Sequence, residues 1–334
     1  MNEPLSVAPM MDWTHAHWRA YFRGISRKTV LYSEMIVDST VLHQQTNLDF
    51  FLGRQVHEDP SVIQLGGSVP EDLARATEVL GQYGDYSEFN LNCGCPSEKV
   101  STGCFGAKLM LQPELVREIM HQMQRRTDKP VTVKCRIGVD ANDSYDELTH
   151  FIQTAASGGP RKFIIHARKC LLSGLTTKQN RDIPPLHYEV VHRLKRDFPE
   201  LSFILNGGLK DFDVCEEHMR PWAFDGEELP ALQGCMLGRQ AYSDPLMFAD
   251  ADNRFFGEKN PGLTRRQVLD RYMDYCDWVQ SGHGPKCIMR GNKGVTRPPK
   301  LPATNALTQT MHNWLRVFLY RICTKTLRSP SLIP

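Results

Sequence analysis

The chain has 334 residues, 41% of them hydrophobic, with a formal net charge of +2. That length and apolar content exclude a disordered or fibrous chain, and suit a barrel of about 250 residues with an appendage. No apolar run reaches the roughly 18 residues needed to span a bilayer, because the longest stretch, Trp314 to Cys323, is interrupted by Arg316 and Arg321.

In chain order, short β-branched runs alternate with amphipathic stretches. Ser6–Met10, Val30–Met35, Val62–Leu65 and Glu88–Asn92 read as the first four strands. Val131–Cys135, Lys162–His166, Ser202–Asn206 and Gly234–Leu237 read as the next four. Between them, Glu71–Leu80, Pro113–Arg125, Tyr145–Ala156 and Tyr188–Arg196 carry apolar residues at helical spacing. Several strands are almost continuously apolar, as buried parallel strands are. Eight such alternations predict a closed (β/α)8 TIM barrel rather than a doubly wound sheet, and no G-x-G-x-x-G follows the first strand. The barrel domain is expected over residues 1–245, and a smaller C-terminal helical domain over 246–334.

The start, Met1-Asn2-Glu3-Pro4, lacks a basic-then-apolar signal pattern. A cytoplasmic protein is expected, or an organellar one if the start is truncated. The ten cysteines are scattered without a C-x-x-C pair and read as reduced thiols. Charge is uneven along the chain. After Asp277 there is no acidic residue but nine basic ones, while the 31 basic residues before it face 38 acidic ones, a net charge of about −7. A basic end on an acidic body is a nucleic-acid footprint or a solubilising tail. No membrane contact and no obligate protein partner is expected.

Polar residues gather where the predicted strands end. The first ends in Pro9-Met10-Met11, the third in Gln64-Leu65-Gly66-Gly67, and the fourth in Asn92-Cys93-Gly94-Cys95-Pro96. The fifth ends in Lys134-Cys135-Arg136, the sixth in His166-Ala167-Arg168-Lys169, the seventh in Asn206-Gly207-Gly208 and the eighth in Gly238-Arg239. In a β/α barrel these ends share one face, where active sites are built.

Glycines after strands seven and eight let backbone N–H groups approach a phosphate, with Arg239 adding a charge-assisted contact; ordinary tight turns are the bland alternative. Lys134 at the end of an apolar strand is costly unless an anion meets it, and the reduced edge of a flavin is such an anion. His166 reads as a general base or a hydrogen-bond donor, and no metal is expected because no second ligand stands at zinc spacing. Gln64 offers the donor and acceptor that match an imide edge. Cys95, in a Gly-Cys-Pro turn, is the candidate proton donor to a carbon whose neighbour receives hydride. Cys93 joined to Cys95 as a metal pair is the weaker reading, and Cys104 is the decoy.

Together these motifs resemble the tRNA-dihydrouridine synthases of the bacterial type. Ser6-Val7-Ala8-Pro9-Met10-Met11-Asp12-Trp13-Thr14 looks like the family's first strand, and Asn90-Leu91-Asn92-Cys93-Gly94-Cys95-Pro96-Ser97 like its catalytic loop. Phe163-Ile164-Ile165-His166-Ala167-Arg168-Lys169 is similar to its sixth strand. Leu172-Ser173-Gly174-Leu175, with Lys178, Asn180, Arg181 and Ile183-Pro184-Pro185, resembles a subfamily insertion. The resemblance runs to about residue 285. It implies that Pro9, Met10, Met11, Gln64, Lys134, His166, Asn206, Gly207, Gly208, Gly238 and Arg239 hold FMN, with NADPH as reductant. It implies Cys95 as proton donor to uracil C5 after hydride reaches C6. It further implies that Asn92, Lys178 and Arg181 contact tRNA, the target being a D-loop uridine at position 20 or 20a. Such a base must leave its stack to react, at a cost of a few kcal/mol. Residues 291–302 break helix repeatedly and depart from the family's helical ending. A dehydrogenase of a free dihydropyrimidine and a non-catalytic RNA-binding protein are the competing readings.

Overall fold

The computed structural model describes residues 3–53, 59–84, 86–97 and 104–282. The basic end, the stretch 291–302 and the expected helix over 307–327 lie outside the described residues.

Eight parallel strands close into a ring: β1 (Leu5–Val7), β2 (Val30–Tyr32), β3 (Ser61–Gly66), β4 (Glu88–Cys93), β5 (Val131–Arg136), β6 (Lys162–His166), β7 (Ser202–Asn206) and β8 (Gly234–Leu237). Each pairs with the next, and β8 returns to β1 with Leu5 opposite Cys235. The expected (β/α)8 barrel is therefore present. The expected second strand, however, breaks in two. Tyr32 pairs with Val62 and Ile36 with Leu65, so four steps along one strand match three along the other. One residue among Ser33, Glu34 and Met35 is thus extra. A bulge of this kind bends the strand end at the rim.

The helices form where the pattern places them. Pro70–Tyr83 and Pro113–Gln124 each begin on a proline, whose missing N–H costs nothing at a first turn. Tyr145–Ser157 starts from a capping box between Ser144 and Glu147. Tyr188–Asp197 ends one residue past its expected limit. A hairpin, Trp222–Phe224 with Glu227–Leu229, was not anticipated. Asp225 and Gly226 both adopt positive φ at its two-residue turn, which suits the twist of the paired strands.

Strand side chains alternate, so every strand has an inner and an outer set. The outer set, including Phe89, Leu91, Val133, Phe163, Ile165, Phe203 and Leu205, is buried against the helices and forms the core. The inner set is unusually polar. Glu88, Asn90, Thr132 and Lys162 are buried inside the ring. At its lower end Lys162 contacts Glu88 at 2.5 Å and also bonds Glu3, while the Tyr32 hydroxyl donates to Glu3 at 3.1 Å. These groups come from opposite sides of the ring, so they plug its floor.

Past the barrel, a capping box between Thr264 and Gln267 starts the helix Arg265–Gln280, which packs on Ala16–Arg23. Tyr272 meets Tyr21 edge to face at 5.2 Å, and the Tyr275 hydroxyl lies 2.7 Å from His17 Nδ1. Among the described residues, no helix is long and apolar enough to cross a membrane.

Candidate active site

The C-terminal strand ends open onto one mouth, and the loop after β4 holds Cys95 over it. Asn92 sets that loop: its Oδ1 accepts from the backbone N–H of Gly94 at 3.1 Å and of Cys95 at 3.0 Å. This side-chain turn substitutes for a backbone one. The Cys95 carbonyl accepts from Ala107 N–H at 3.0 Å, which ties the loop to the following turn. The thiol is half-buried. Burial pushes it up, against the opposing pull of the Ser97 N–H and of Arg136, Arg181 and Lys134. It therefore stays protonated at neutral pH, the state a proton donor needs.

Arg136, two residues beyond Lys134 on the same inner face, is a component the sequence reading did not single out. The residue is 3% exposed, and its guanidinium donates to three carbonyls: Gly94 at 3.1 Å, Lys169 at 3.1 Å and Asn180 at 2.8 Å. It thereby joins the Cys95 loop to the insertion that carries Lys178 and Arg181. The one advance signal was a second cation at the end of an apolar strand.

Lys134 reaches across the mouth from β5 to β7, where its Nζ donates to Asn206 Oδ1 at 3.0 Å. Asn206 is itself oriented by donating from Nδ2 to the Met236 carbonyl at 2.8 Å. Burial, with Arg136 adding repulsion, lowers Lys134 to about 8. Burial likewise holds His166 well below its ordinary value, reinforced by Arg136 and Lys134, so its imidazole is neutral. Gln64 is fully enclosed beneath these groups and accepts from Asn92 Nδ2 at 2.8 Å. Met10 is buried, Pro9 half-buried and Met11 exposed at the first strand's end.

Two glycines behave differently. Gly207 has φ +117°, and a Cβ there would lie 2.6 Å from His166 Cδ2, so the fold itself requires glycine. Gly238 has negative φ, and a Cβ would meet nothing nearer than 3.9 Å. The space beside that glycine is therefore open on the protein side. Gly208, also at positive φ, lies beside Tyr188, whose hydroxyl donates to the Gly207 carbonyl at 2.7 Å.

Around this edge stand Arg168, Arg181 and Arg239. Arg239 bonds Asp182 Oδ1 at 2.6 Å, and Arg168 donates to the Pro184 carbonyl. Burial depresses both Arg168 and Arg181. The Nε atoms of both are buried without a hydrogen-bond partner. Lys178 is exposed just before the turn Gln179–Arg181. The expected residues thus converge on one mouth, with Lys178 on its outer lip. Cys104 sits apart as an exposed residue with φ 58°. Among the described residues, no three His, Cys, Asp or Glu side chains are grouped to hold a metal. The donor set fits a flavin mononucleotide: amide and ammonium groups for a ring edge, glycines and a guanidinium for a phosphate.

The family model for dihydrouridine synthase matches residues 6–290. This chain belongs to the dihydrouridine synthase family. Its similarity extends to individual relatives. A tRNA-dihydrouridine(20/20a) synthase of Pseudomonas putida is 44% identical over 270 residues, covering 81% of this chain and 76% of that protein. A protein of the same name from Vibrio cholerae is 44% identical over 274 residues, 82% of this chain and 80% of its own. One from Synechocystis is 42% identical, covering 82% and 78%. Dihydrouridine synthases are oxidoreductases.

Proposed function

We propose that this dihydrouridine synthase reduces the C5=C6 bond of a D-loop uridine of tRNA, at position 20 or 20a, to 5,6-dihydrouridine. The observation that carries this reading is Cys95: a thiol kept protonated, on a loop pinned by Asn92 and Arg136, over a mouth lined with cations. The names of the relatives support the tRNA substrate and its position.

Bound FMN, reduced by NADPH, supplies the hydride delivered to C6. The chain's own residues would hold and orient it: Pro9, Met10 and Met11 at the first strand's end, and Gln64, whose amide keeps one N–H and one lone pair for an imide edge beyond its bonds to Asn90 and Asn92. Lys134 and Asn206 meet the ring's developing negative charge, and neutral His166 donates without adding charge. Gly207, Gly208, Gly238 and Arg239 take the phosphate. Cys95 would give its proton to C5, the carbon next to the one that receives hydride. Asn92, Lys178 and Arg181 contact the tRNA. The base is extruded from its stack, and backbone contacts by cations offset that cost and make binding salt-dependent. Residues 246–334, of which those after 282 lie outside the described residues, carry the grip on tRNA, and the protein works in the cytoplasm without an obligate partner.

The test is mass spectrometry of dihydrouridine-free tRNA incubated with the protein, FMN and NADPH. A two-hydrogen gain mapped to the D-loop is expected. Flavin-loaded protein that leaves tRNA unchanged, yet turns over a free dihydropyrimidine, overturns the proposal.

A further inference from the structure

We infer that Thr132 and Asn90, buried beneath the mouth, are positioning residues that fix the orientation of the Gln64 and Asn92 amides and, through them, the Cys95 loop. The inference rests on the reading above that Cys95 is the acid, but its geometry stands independently.

Gln64, Asn90 and Thr132 are register partners on three adjacent strands, β3, β4 and β5, so their side chains form a row inside the ring. A single directed chain of hydrogen bonds runs through that row. The Cys95 N–H donates to Asn92 Oδ1 at 3.0 Å, and Asn92 Nδ2 donates to Gln64 Oε1 at 2.8 Å. Gln64 Nε2 donates to Asn90 Oδ1 at 2.8 Å, and Asn90 Nδ2 donates to Thr132 Oγ1 at 2.9 Å. The Thr132 hydroxyl then donates to Glu88 Oε1 at 2.6 Å.

The two ends dictate the direction of every link. A backbone N–H can only donate, so Asn92 presents its oxygen upward and its nitrogen to Gln64. The Glu88 carboxylate, paired with Lys162, accepts, so the Thr132 hydroxyl spends its proton there and offers a lone pair to Asn90. Both ends therefore demand the same amide orientation at Asn90 and Gln64. Amides are indifferent to a flip unless their partners distinguish oxygen from nitrogen, and Thr132 is the partner that does so at depth. With Gln64 reversed, its nitrogen would face the Asn92 nitrogen. Asn92 would have to turn as well, releasing the N–H groups of Gly94 and Cys95. A charged pair at the barrel floor is in this way connected to the acid loop at its mouth.

The decisive comparison is Thr132→Val, which keeps the shape and removes the hydroxyl, with Thr132→Ser, which keeps the hydroxyl. Thr132→Val is expected to lower kcat for tRNA reduction about ten- to a hundredfold, the scale of a misplaced reacting group. It should also speed amide hydrogen exchange in the peptide spanning residues 92–97. Thr132→Ser should recover at least half the wild-type kcat and restore the slow exchange. Thr132→Ala serves in place of the valine variant if that protein does not fold. Equal losses in the hydroxyl-free and serine variants, or an unchanged exchange rate in the former, overturn the inference. A wild-type protein that binds no FMN and leaves tRNA unchanged overturns the functional reading instead. In that case the exchange comparison alone decides whether the chain positions the loop.

Discussion

The floor and the mouth of this barrel each bury a lysine inside the ring, with opposite consequences. At the floor Lys162 meets two carboxylates, Glu3 and Glu88, which overcome the cost of burial and hold it above its ordinary value. At the mouth Lys134, among the described residues, bonds a neutral amide alone, and burial beside Arg136 lowers it to about 8. Protein charges balance the first region, so it contributes structure. The second carries an excess of cations: Lys134, Arg136, Arg168 and Arg181 share the mouth with Arg239, whose carboxylate partner is Asp182. A buried cation left for a ligand to neutralise is a mark of function, whereas one neutralised by its own fold is a mark of scaffold.

The contrast can be broken first at the thiol. Cys95→Ala is expected to retain FMN and lose about 10²–10⁴ in the rate of uridine reduction, while Cys104→Ala changes it little. Single-turnover assays on both variants check this, and a comparable loss at Cys104 would show that Cys95 is the wrong cysteine. The next largest effect separates the two lysines. Lys162→Met leaves two buried carboxylates without their cation and should cost about 3–5 kcal/mol in urea unfolding. Lys134→Met removes a desolvated charge, so the apoprotein should be no less stable, while FMN affinity falls about tenfold with a lost charge-assisted contact. Destabilisation of similar size in both variants would erase the distinction between floor and mouth.

A pH titration sharpens the same point. Affinity for FMN should be full below about 8 and weaken above it, as Lys134 loses its proton. Stability moves the other way. Between about 8 and the ordinary 10.5 the unfolded chain binds the proton that the folded site has released, so this site's contribution rises with pH across that window. Calorimetric titration of FMN at pH 7 and 9 measures the first effect, and Lys134→Met should flatten it. The smallest effect belongs to the Asp182–Arg239 pair. Both groups are more than a third exposed, so Asp182→Asn should change stability by less than about 1 kcal/mol. A larger change in thermal unfolding would show that the rim is structural too.

Much of this architecture was legible beforehand because it is written in local periodicity. Strand and helix spacing placed six of eight barrel strands to within a residue at each end, with the first strand stopping at Val7 instead of Met10, and the Pro70, Pro113 and Ser144 starts are local signals. The second strand failed because its bulge depends on how Ser33–Met35 fit against Val62–Leu65, a cross-strand fact. The mouth residues were legible as a set because a closed barrel brings every strand end to one face.

The sequence by itself therefore determined the repeat, the barrel and the roster of polar strand ends, since alternation and helical period are properties of neighbours along the chain. The tertiary structure alone decided what those groups do to one another. Arg136 joins Gly94, Lys169 and Asn180, and Lys162 joins Glu3 and Glu88, across separations of tens of residues or more. Which cation is neutralised, which amide points which way and which thiol keeps its proton follow from desolvation and from charges a few ångströms away. Those distances exist only once the ring has closed.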